Sequence, residues 1–338
     1  MEILENHPLK NYSSMKIGGN AKYFSVIESP DEVALLHDFA ESNNLPITVI
    51  GRGTNTIFKE GNLNRTFGLM NIKGIHLVND FPESCQVEAM AGETWDDFVD
   101  WAVERELSGI EALSAIPGTV GAAPVQNIGA YGSELSDVFV NVRAYDLENK
   151  EFVILGLRDC DFGYRDSFFK KFPNKFVIIS VTLELSKKKP EIPKYKDVQL
   201  HFLGRKTKPS LKAIRKAIID IREKKLPNPD RIPNCGSFFK NPIIANEQAI
   251  QILQRFPEMP HYKVDEDNIK LYAGWMIEQI GFKGKVFENI AIYENNSLVL
   301  INNGKATLKE LEQAKKKILS KIKDNFKIEL EMEPQILG

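Results

Sequence analysis

The chain has 338 residues, 43% of them hydrophobic and 27% charged, with a formal net charge of −2. That length gives room for two or three domains, and the charge balance leaves no basic footprint for nucleic acid. No apolar run approaches the ~20 residues needed to cross a bilayer.

The start, Met-Glu-Ile-Leu-Glu-Asn, has neither the basic stretch nor the apolar core of a signal peptide. Cys85, Cys160 and Cys235 are far apart and odd in number. Both points set the expectation of a reducing compartment, the cytoplasm, with no disulfide framework and no metal site. Residues 22–28 read as a strand. Residues 30–41 carry Val33, Leu35, Leu36 and Phe39 at helical spacing, and 46–50 are apolar and β-branched. This predicts a βαβ unit ending in Gly51-Arg52-Gly53-Thr54-Asn55-Thr56. Only two glycines of the dinucleotide fingerprint are there and no amphipathic helix follows, which excludes a Rossmann reading. On its residues alone the segment is a strand-end turn.

Residues 86–91 predict a strand. Thr94 is placed to cap a helix whose apolar face is Trp95, Phe98, Val99 and Ala102; Trp95 and Trp101 are expected in the core. The stretch 116–132 holds four glycines, two prolines and no charged side chain. Such a loop either is a buried turn or meets phosphates through its backbone N–H groups. Strands are predicted at 138–146, 151–155 and 176–185, giving this part an α+β character. Between the last two, Gly163-Tyr164-Arg165-Asp166-Ser167 reads as a surface loop, and Lys187-Lys188-Lys189-Pro190 as a solvated turn. Residues 210–226 form an amphipathic pattern with Leu211, Ile214, Ala217, Ile218 and Ile221 on one face. Gly236-Ser237-Phe238-Phe239-Lys240-Asn241-Pro242 is a turn with an aromatic anchor, and no histidine near Ser237 supports a hydrolase triad. Helices are predicted at 246–256, 271–280 and 307–326, the last with a Thr307/Glu310 capping box, and a strand at 298–301. Residues 328–337 alternate glutamate with apolar residues, as in an edge strand with one charged face.

Four of these segments resemble the UDP-N-acetylenolpyruvoylglucosamine reductase family, the UDP-N-acetylmuramate dehydrogenases, over nearly the whole chain from about Lys16. They are the Gly-x-Gly-Thr-Asn turn, the 116–132 loop, Gly-Tyr-Arg-Asp-Ser and Gly-Ser-Phe-Phe-Lys-Asn-Pro. Tyr195, followed by Lys196-Asp197, is similar to the Tyr-x-Asp of the type I members, whose tyrosine closes over substrate from a mobile loop. The resemblance implies an α+β fold: two FAD-binding subdomains of the vanillyl-alcohol-oxidase/PCMH type (1–66 and 67–206, with 328–338 returning to them) and an α/β substrate-binding domain (207–327). It implies non-covalent FAD on Gly51, Arg52, Gly53, Thr54, Asn55, Thr56, Pro117, Gly118, Thr119, Gly121, Ala122, Gln126, Asn127, Gly129, Ala130 and Tyr131. Gly53 and Gly121 are expected where the backbone meets the pyrophosphate.

The implied reaction is reduction of UDP-N-acetylglucosamine enolpyruvate to UDP-N-acetylmuramate, with NADPH as co-substrate. Tyr164, Arg165, Ser237 as proton donor and a C-terminal glutamate are the implied catalytic residues. Counting from Leu330 places the glutamate at Glu333, while the departures Met332, Pro334 and Gln335 from the family ending keep Glu331 in play. Tyr195, Lys225, Asn241, Tyr262 and Lys270 are implied around the sugar and diphosphate, and Arg222, counted with these substrate-binding residues, is with Lys225 near enough in sequence to help Ser237 as proton donor. A monomer without membrane or nucleic-acid partners is expected. The rival reading is another FAD oxidoreductase on the same scaffold, of the hydroxy-acid or sugar-lactone oxidase type. Many of those tether flavin through histidine, and all five histidines here lie outside 51–56 and 116–132.

Overall fold

The structure, a computed structural model, describes residues 1–205 and 207–338; the subdomain boundary expected at 206 falls on the one residue outside them. The chain divides into two compact units. One comprises Met1–His7, Ala21–Arg52 and Asn62–Glu223; the other comprises Pro8–Asn20, Gly53–Gly61 and Lys224–Gly338.

The first unit holds two sheets. One orders Leu4–Pro8, Asn20–Ile27, Asn62–Met70 and Ile47–Ile50, and its last pair is parallel. Helix Pro30–Ser42 connects Asn20–Ile27 to Ile47–Ile50 and buries Val33, Leu36 and Ala40. The expected βαβ unit is therefore present, with Asn62–Met70 lying between its two strands. The other sheet is antiparallel, in the order Glu151–Gly156, Phe139–Asp146, Phe176–Ser186, Ser84–Met90, Ile75–Asp80. Its middle strand is buried on both faces from Val177 to Leu183, so it reads as an apolar run broken only by Ser180 and Thr182. Helix Trp95–Glu104 sends Trp95, Phe98, Val99 and Ala102 into the core. The cap expected from Thr94 is corrected: Thr94 occupies the N-cap position, but its hydroxyl makes no cap bond and accepts from the Arg52 guanidinium at 3.4 Å instead. Trp95 is fully buried, its indole N–H donating to Leu113 O at 3.0 Å. Trp101 is half-buried beneath Arg105. Helices Lys196–Phe202 and Leu211–Lys225 close a small separate core of Val198, Phe202, Ile214, Ala217 and Ile218.

The second unit is built on an antiparallel sheet of Asn234–Ser237, Val299–Asn302, Ile290–Ile292 and Val286–Phe287 and a three-stranded sheet of Ile243–Ala245, Asn268–Leu271 and His261–Lys263. Helix Leu308–Phe326 covers its core with Leu311, Ile318, Ile322 and Phe326. Its start is the expected capping box, with Glu310 N–H donating to Thr307 Oγ1 at 3.2 Å and Thr307 N–H to Glu310 at 2.7 Å. The long final strand is corrected. Only Gln335–Leu337 is a strand, parallel to Thr56–Phe58, preceded by a single bridge between Met332 and Phe239. Ile328 and Leu330 point inward from irregular chain, so the alternation reflects burial without a continuous ladder, and Pro334 has no N–H to extend one.

Candidate functional site

In the first unit the 116–132 loop is stapled along residues 91–95. Gly121 N–H donates to Ala91 O at 2.9 Å, Val120 N–H to Glu93 O at 2.9 Å, and Trp95 N–H to Gly118 O at 3.1 Å. A Cβ on Gly121 would stand 2.5 Å from Ala91 Cβ, so this glycine is required by packing inside the unit. Asn127, almost fully buried and left-handed at φ 46°, is a strut. Its amide donates to Glu134 at 2.8 Å and to Gly163 O at 3.2 Å, and its oxygen accepts from Ser136 N–H at 3.0 Å. The Thr119 hydroxyl is buried with no hydrogen-bond partner among the described residues. It lies where a Cβ on Gly51 would be, at 2.5 Å.

The Gly-Tyr-Arg-Asp-Ser run is a tight hairpin, Gly163 N–H to Asp166 O at 3.0 Å and Asp166 N–H to Gly163 O at 3.2 Å, with Arg165 at φ 53°. It docks on the loop at three points. Asn127 donates to Gly163 O, the Arg165 guanidinium donates to Gly129 O, and Ser167 Oγ donates to Val125 O at 2.6 Å. The Arg165 guanidinium also lies 5.3 Å from the Tyr164 ring centre. Arg222 reaches the same corner and donates to the Tyr131 hydroxyl. Burial pulls the Arg222 pKa down; Tyr131 and Asp96 oppose that, and the nearby Arg165 charge adds to it. The Tyr131 ring meets Tyr195 edge to face at 5.1 Å. Two guanidinia and two phenols thus converge, a donor set matched to carboxylate or phosphate. Tyr195, expected on a loop, stands at the N-cap of helix Lys196–Phe202.

The 51–56 turn is shared out between the units, Gly51 and Arg52 in the first and Gly53 to Thr56 in the second. Gly53 has φ 61°, and a Cβ on it would lie 1.7 Å from Tyr12 O. Ser14 N–H donates to Gly53 O at 3.1 Å, Ser14 Oγ to Thr54 O at 3.1 Å and Ser13 Oγ to Thr56 O at 2.8 Å. Asn55 fastens the C-terminal segment, accepting from Gln335 N–H at 2.9 Å and donating to Glu333 O at 3.3 Å.

Ser237 follows a break in register at Cys235-Gly236. Gly236 takes φ 69° there, and its N–H donates to Asn234 Oδ1 at 2.8 Å. Buried Phe238 and Phe239 anchor the next two positions, leaving Ser237 half-buried. Glu333 N–H donates to Phe238 O at 2.9 Å, so Glu333, also half-buried, lies beside the residue that follows Ser237. Glu331 is turned outward, 75% exposed, and pairs with Lys240 at 2.8 Å. Asn241 Oδ1 accepts from Ala273 N–H at 3.0 Å and holds the start of helix Ala273–Gln279. Tyr262 faces Lys270 across the three-stranded sheet, ammonium to ring centre 5.5 Å. Lys225 is exposed at the end of its helix. Sequence reasoning missed Asp96 and Arg215, which form a two-pronged ion pair in the first unit. Arg215 had one signal, its spacing of seven from Arg222 on one helix face; Asp96 had none.

Residues 21–154, which include the charge-free glycine-rich loop, match a family model described as an FAD binding domain, the mark of a flavoprotein. Residues 228–337 match that of the UDP-N-acetylenolpyruvoylglucosamine reductase C-terminal domain. The chain belongs to the UDP-N-acetylenolpyruvoylglucosamine reductase family. It is 38% identical over 340 residues to the reductase of Flavobacterium johnsoniae, covering 100% of both chains. It is 38% identical over 337 residues to that of Pseudomonas fluorescens, covering 99% of each. In fold it is similar to the crystal structure of UDP-N-acetylenolpyruvylglucosamine reductase from Thermus caldophilus, with TM-score 0.67 at 19% identity over 100% of this chain and 98% of that one. The expected α+β flavoprotein class and the FAD cofactor stand on these matches. Among the described residues, no helix is long and apolar enough to cross a membrane.

Proposed function

We propose that the chain is a UDP-N-acetylmuramate dehydrogenase, acting as a cytoplasmic monomer to reduce UDP-N-acetylglucosamine enolpyruvate at the expense of NADPH. The observation that best supports this is the docking of the Gly-Tyr-Arg-Asp-Ser hairpin on the 116–132 loop, which places Arg165 and Arg222 at one corner. The residues present fit FAD: the loop has backbone N–H groups and no competing charge, and the buried Thr119 hydroxyl lacks a protein partner among the described residues. FAD held there would supply the redox chemistry, hydride transfer from NADPH to the vinyl carbon remote from the carboxylate.

Addition at that carbon leaves enolate-like charge on its neighbour and the carboxylate, which donors aimed there stabilise. Arg165 supplies a planar fork, oriented by Gly129 O and the Tyr164 ring, for the carboxylate. Arg222, bonded to the hydroxyl of Tyr131, whose ring meets Tyr195, adds a second cation for the diphosphate. Ser237 holds the proton for the carbon that bore the charge. A serine hydroxyl is a weak acid, so the protein must stabilise the alkoxide it leaves. Glu333 holds the enol form; Glu331, exposed and committed to Lys240, is set aside. Asn241 offers its amide N–H₂ to the substrate, its oxygen being taken by Ala273. Lys225, Tyr262 and Lys270 complete the substrate contacts.

Ser237→Ala tests the assignment. Bleaching of the flavin by NADPH needs no proton from the serine and keeps its rate. Recovery of absorbance on adding the enolpyruvyl sugar slows by ~10²–10⁴, the typical value of a lost general acid. Equal slowing of both half-reactions, or of neither, in stopped flow overturns the role of Ser237.

A further inference from the structure

Asp96 belongs to none of the roles assigned above. It lies in the first turn of helix Trp95–Glu104. Its Oδ1 accepts from Arg215 Nη1 at 2.6 Å and its Oδ2 from Nη2 at 3.0 Å, while Asp100 takes Arg215 Nε at 2.9 Å. Arg215 is only 13% exposed and Asp96 31%, so the fork is a shielded, bidentate pair and unlike an ordinary surface bridge. Oδ1 accepts a further bond, from Ala115 N–H at 2.6 Å.

Ala115 is the residue immediately before the 116–132 loop. It sits at φ 57°, a left-handed conformation that a residue with a Cβ adopts only at a cost. The bond from its N–H to Asp96 holds it there. Three residues on, Gly118 O accepts from Trp95 N–H at 3.1 Å, so adjacent residues of one helix start grip the loop on both sides of its two-residue lead, Ile116-Pro117. Arg215 lies two turns before Arg222 on the same face of helix Leu211–Lys225, so the fork also fixes the rotation of the helix that presents Arg222. Burial works against the Asp96 carboxylate; the Arg215 fork and the Ala115 N–H outweigh it and hold its pKa below the ordinary value.

We propose that Asp96, locked by Arg215, is a positioning residue that sets the Ala115 corner and thereby the course of the flavin loop. The inference rests on the reading of 116–132 as the loop that holds FAD. It is tested by diluting the full-length holoprotein and following flavin fluorescence, which gives the FAD dissociation constant independently of turnover. Asp96→Ala is expected to weaken FAD by about 10-fold or more, the equilibrium equivalent of one lost charge-assisted hydrogen bond. Asp96→Asn keeps an oxygen for the Ala115 N–H and is expected to weaken FAD less than ~3-fold on the same scale. Arg215→Gln, which unlocks the carboxylate without removing it, is expected to weaken FAD measurably and serves if Asp96→Ala does not fold. A purely structural ion pair would lower the melting temperature and leave the dissociation constant within twofold of wild type in all three variants; that result overturns the proposal. Equal weakening by Asp96→Ala and Asp96→Asn also overturns it, because the Ala115 bond would then not be the route. A wild-type protein that holds no flavin overturns the loop reading itself, and the proposal with it.

Discussion

Gly53→Ala and Gly236→Ala form a matched pair. Both glycines are in the second unit and both are left-handed, at φ 61° and 69°. Placing alanine in that region costs about 1 kcal/mol at either site. At Gly236 nothing lies within 4 Å of the new Cβ, so the conformational cost is the whole effect. At Gly53 the Cβ would lie 1.7 Å from Tyr12 O and 2.8 Å from Tyr12 C. Those are backbone atoms, and they cannot move aside as a side-chain tip does. The Tyr12–Ser14 backbone has to retreat, taking with it the Ser14 N–H bond to Gly53 O, the Ser14 Oγ bond to Thr54 O and the Ser13 Oγ bond to Thr56 O. At about 1 kcal/mol for each lost bond, the Gly53 lesion comes to about 4 kcal/mol, several times the Gly236 one. Urea unfolding of flavin-free protein, followed by circular dichroism, reads both values without any contribution from cofactor binding. Equal losses at the two sites would show that Gly53 is a glycine for the ligand's sake, and the packing argument would fail.

Glu331→Gln is expected to leave both half-reactions unchanged, since its pair with Lys240 is exposed, whereas Glu333→Gln slows reoxidation by the enolpyruvyl sugar; stopped flow on the two variants decides which glutamate acts, and the reverse pattern refutes the choice made here. Tyr195→Phe keeps the edge-to-face contact with Tyr131 and loses the hydroxyl, so the KM for the UDP-sugar rises while flavin reduction by NADPH is unaffected; a defect confined to reduction contradicts this. The Asp96 carboxyl titrates below its ordinary value in the folded chain. Its ionised form therefore contributes stability above the unfolded value of ~3.9, and that contribution is lost as pH falls through the lower folded value. The melting temperature of Asp96→Asn should accordingly approach that of wild type on acidification from neutral pH to about 3, and a gap that stays constant or widens would refute the sign.

Helices that bury one face were legible from spacing alone. The stripe of Leu211, Ile214, Ala217, Ile218 and Ile221 and the Thr307/Glu310 box are local patterns that produce local structure. Strands Asn62–Met70 and Ile75–Asp80 were not legible. The first mixes asparagine, arginine and glycine into its run, and the second is exposed along most of its length, so each is specified by the neighbours it pairs with. The reverse held at 328–337, where alternating glutamate and apolar residues describe irregular chain apart from its last three residues, because burial of Ile328 and Leu330 imitates a strand period. Motif chemistry located the 116–132 loop and the Gly-Tyr-Arg-Asp-Ser run separately; only folding brought Asn127 to Gly163 and Arg165 to Gly129, across 36 residues. The choice between Glu331 and Glu333 was likewise beyond the sequence, where both are glutamates two apart on one period. The fold sets the two apart by the backbone each lies against, Lys240 for the outward-facing Glu331 and Phe238, next to Ser237, for Glu333, and this supports the proposal of Glu333. Asp96 carried no motif at all, since what marks it is three donors arriving from two other segments of the chain, and such a convergence exists only in three dimensions.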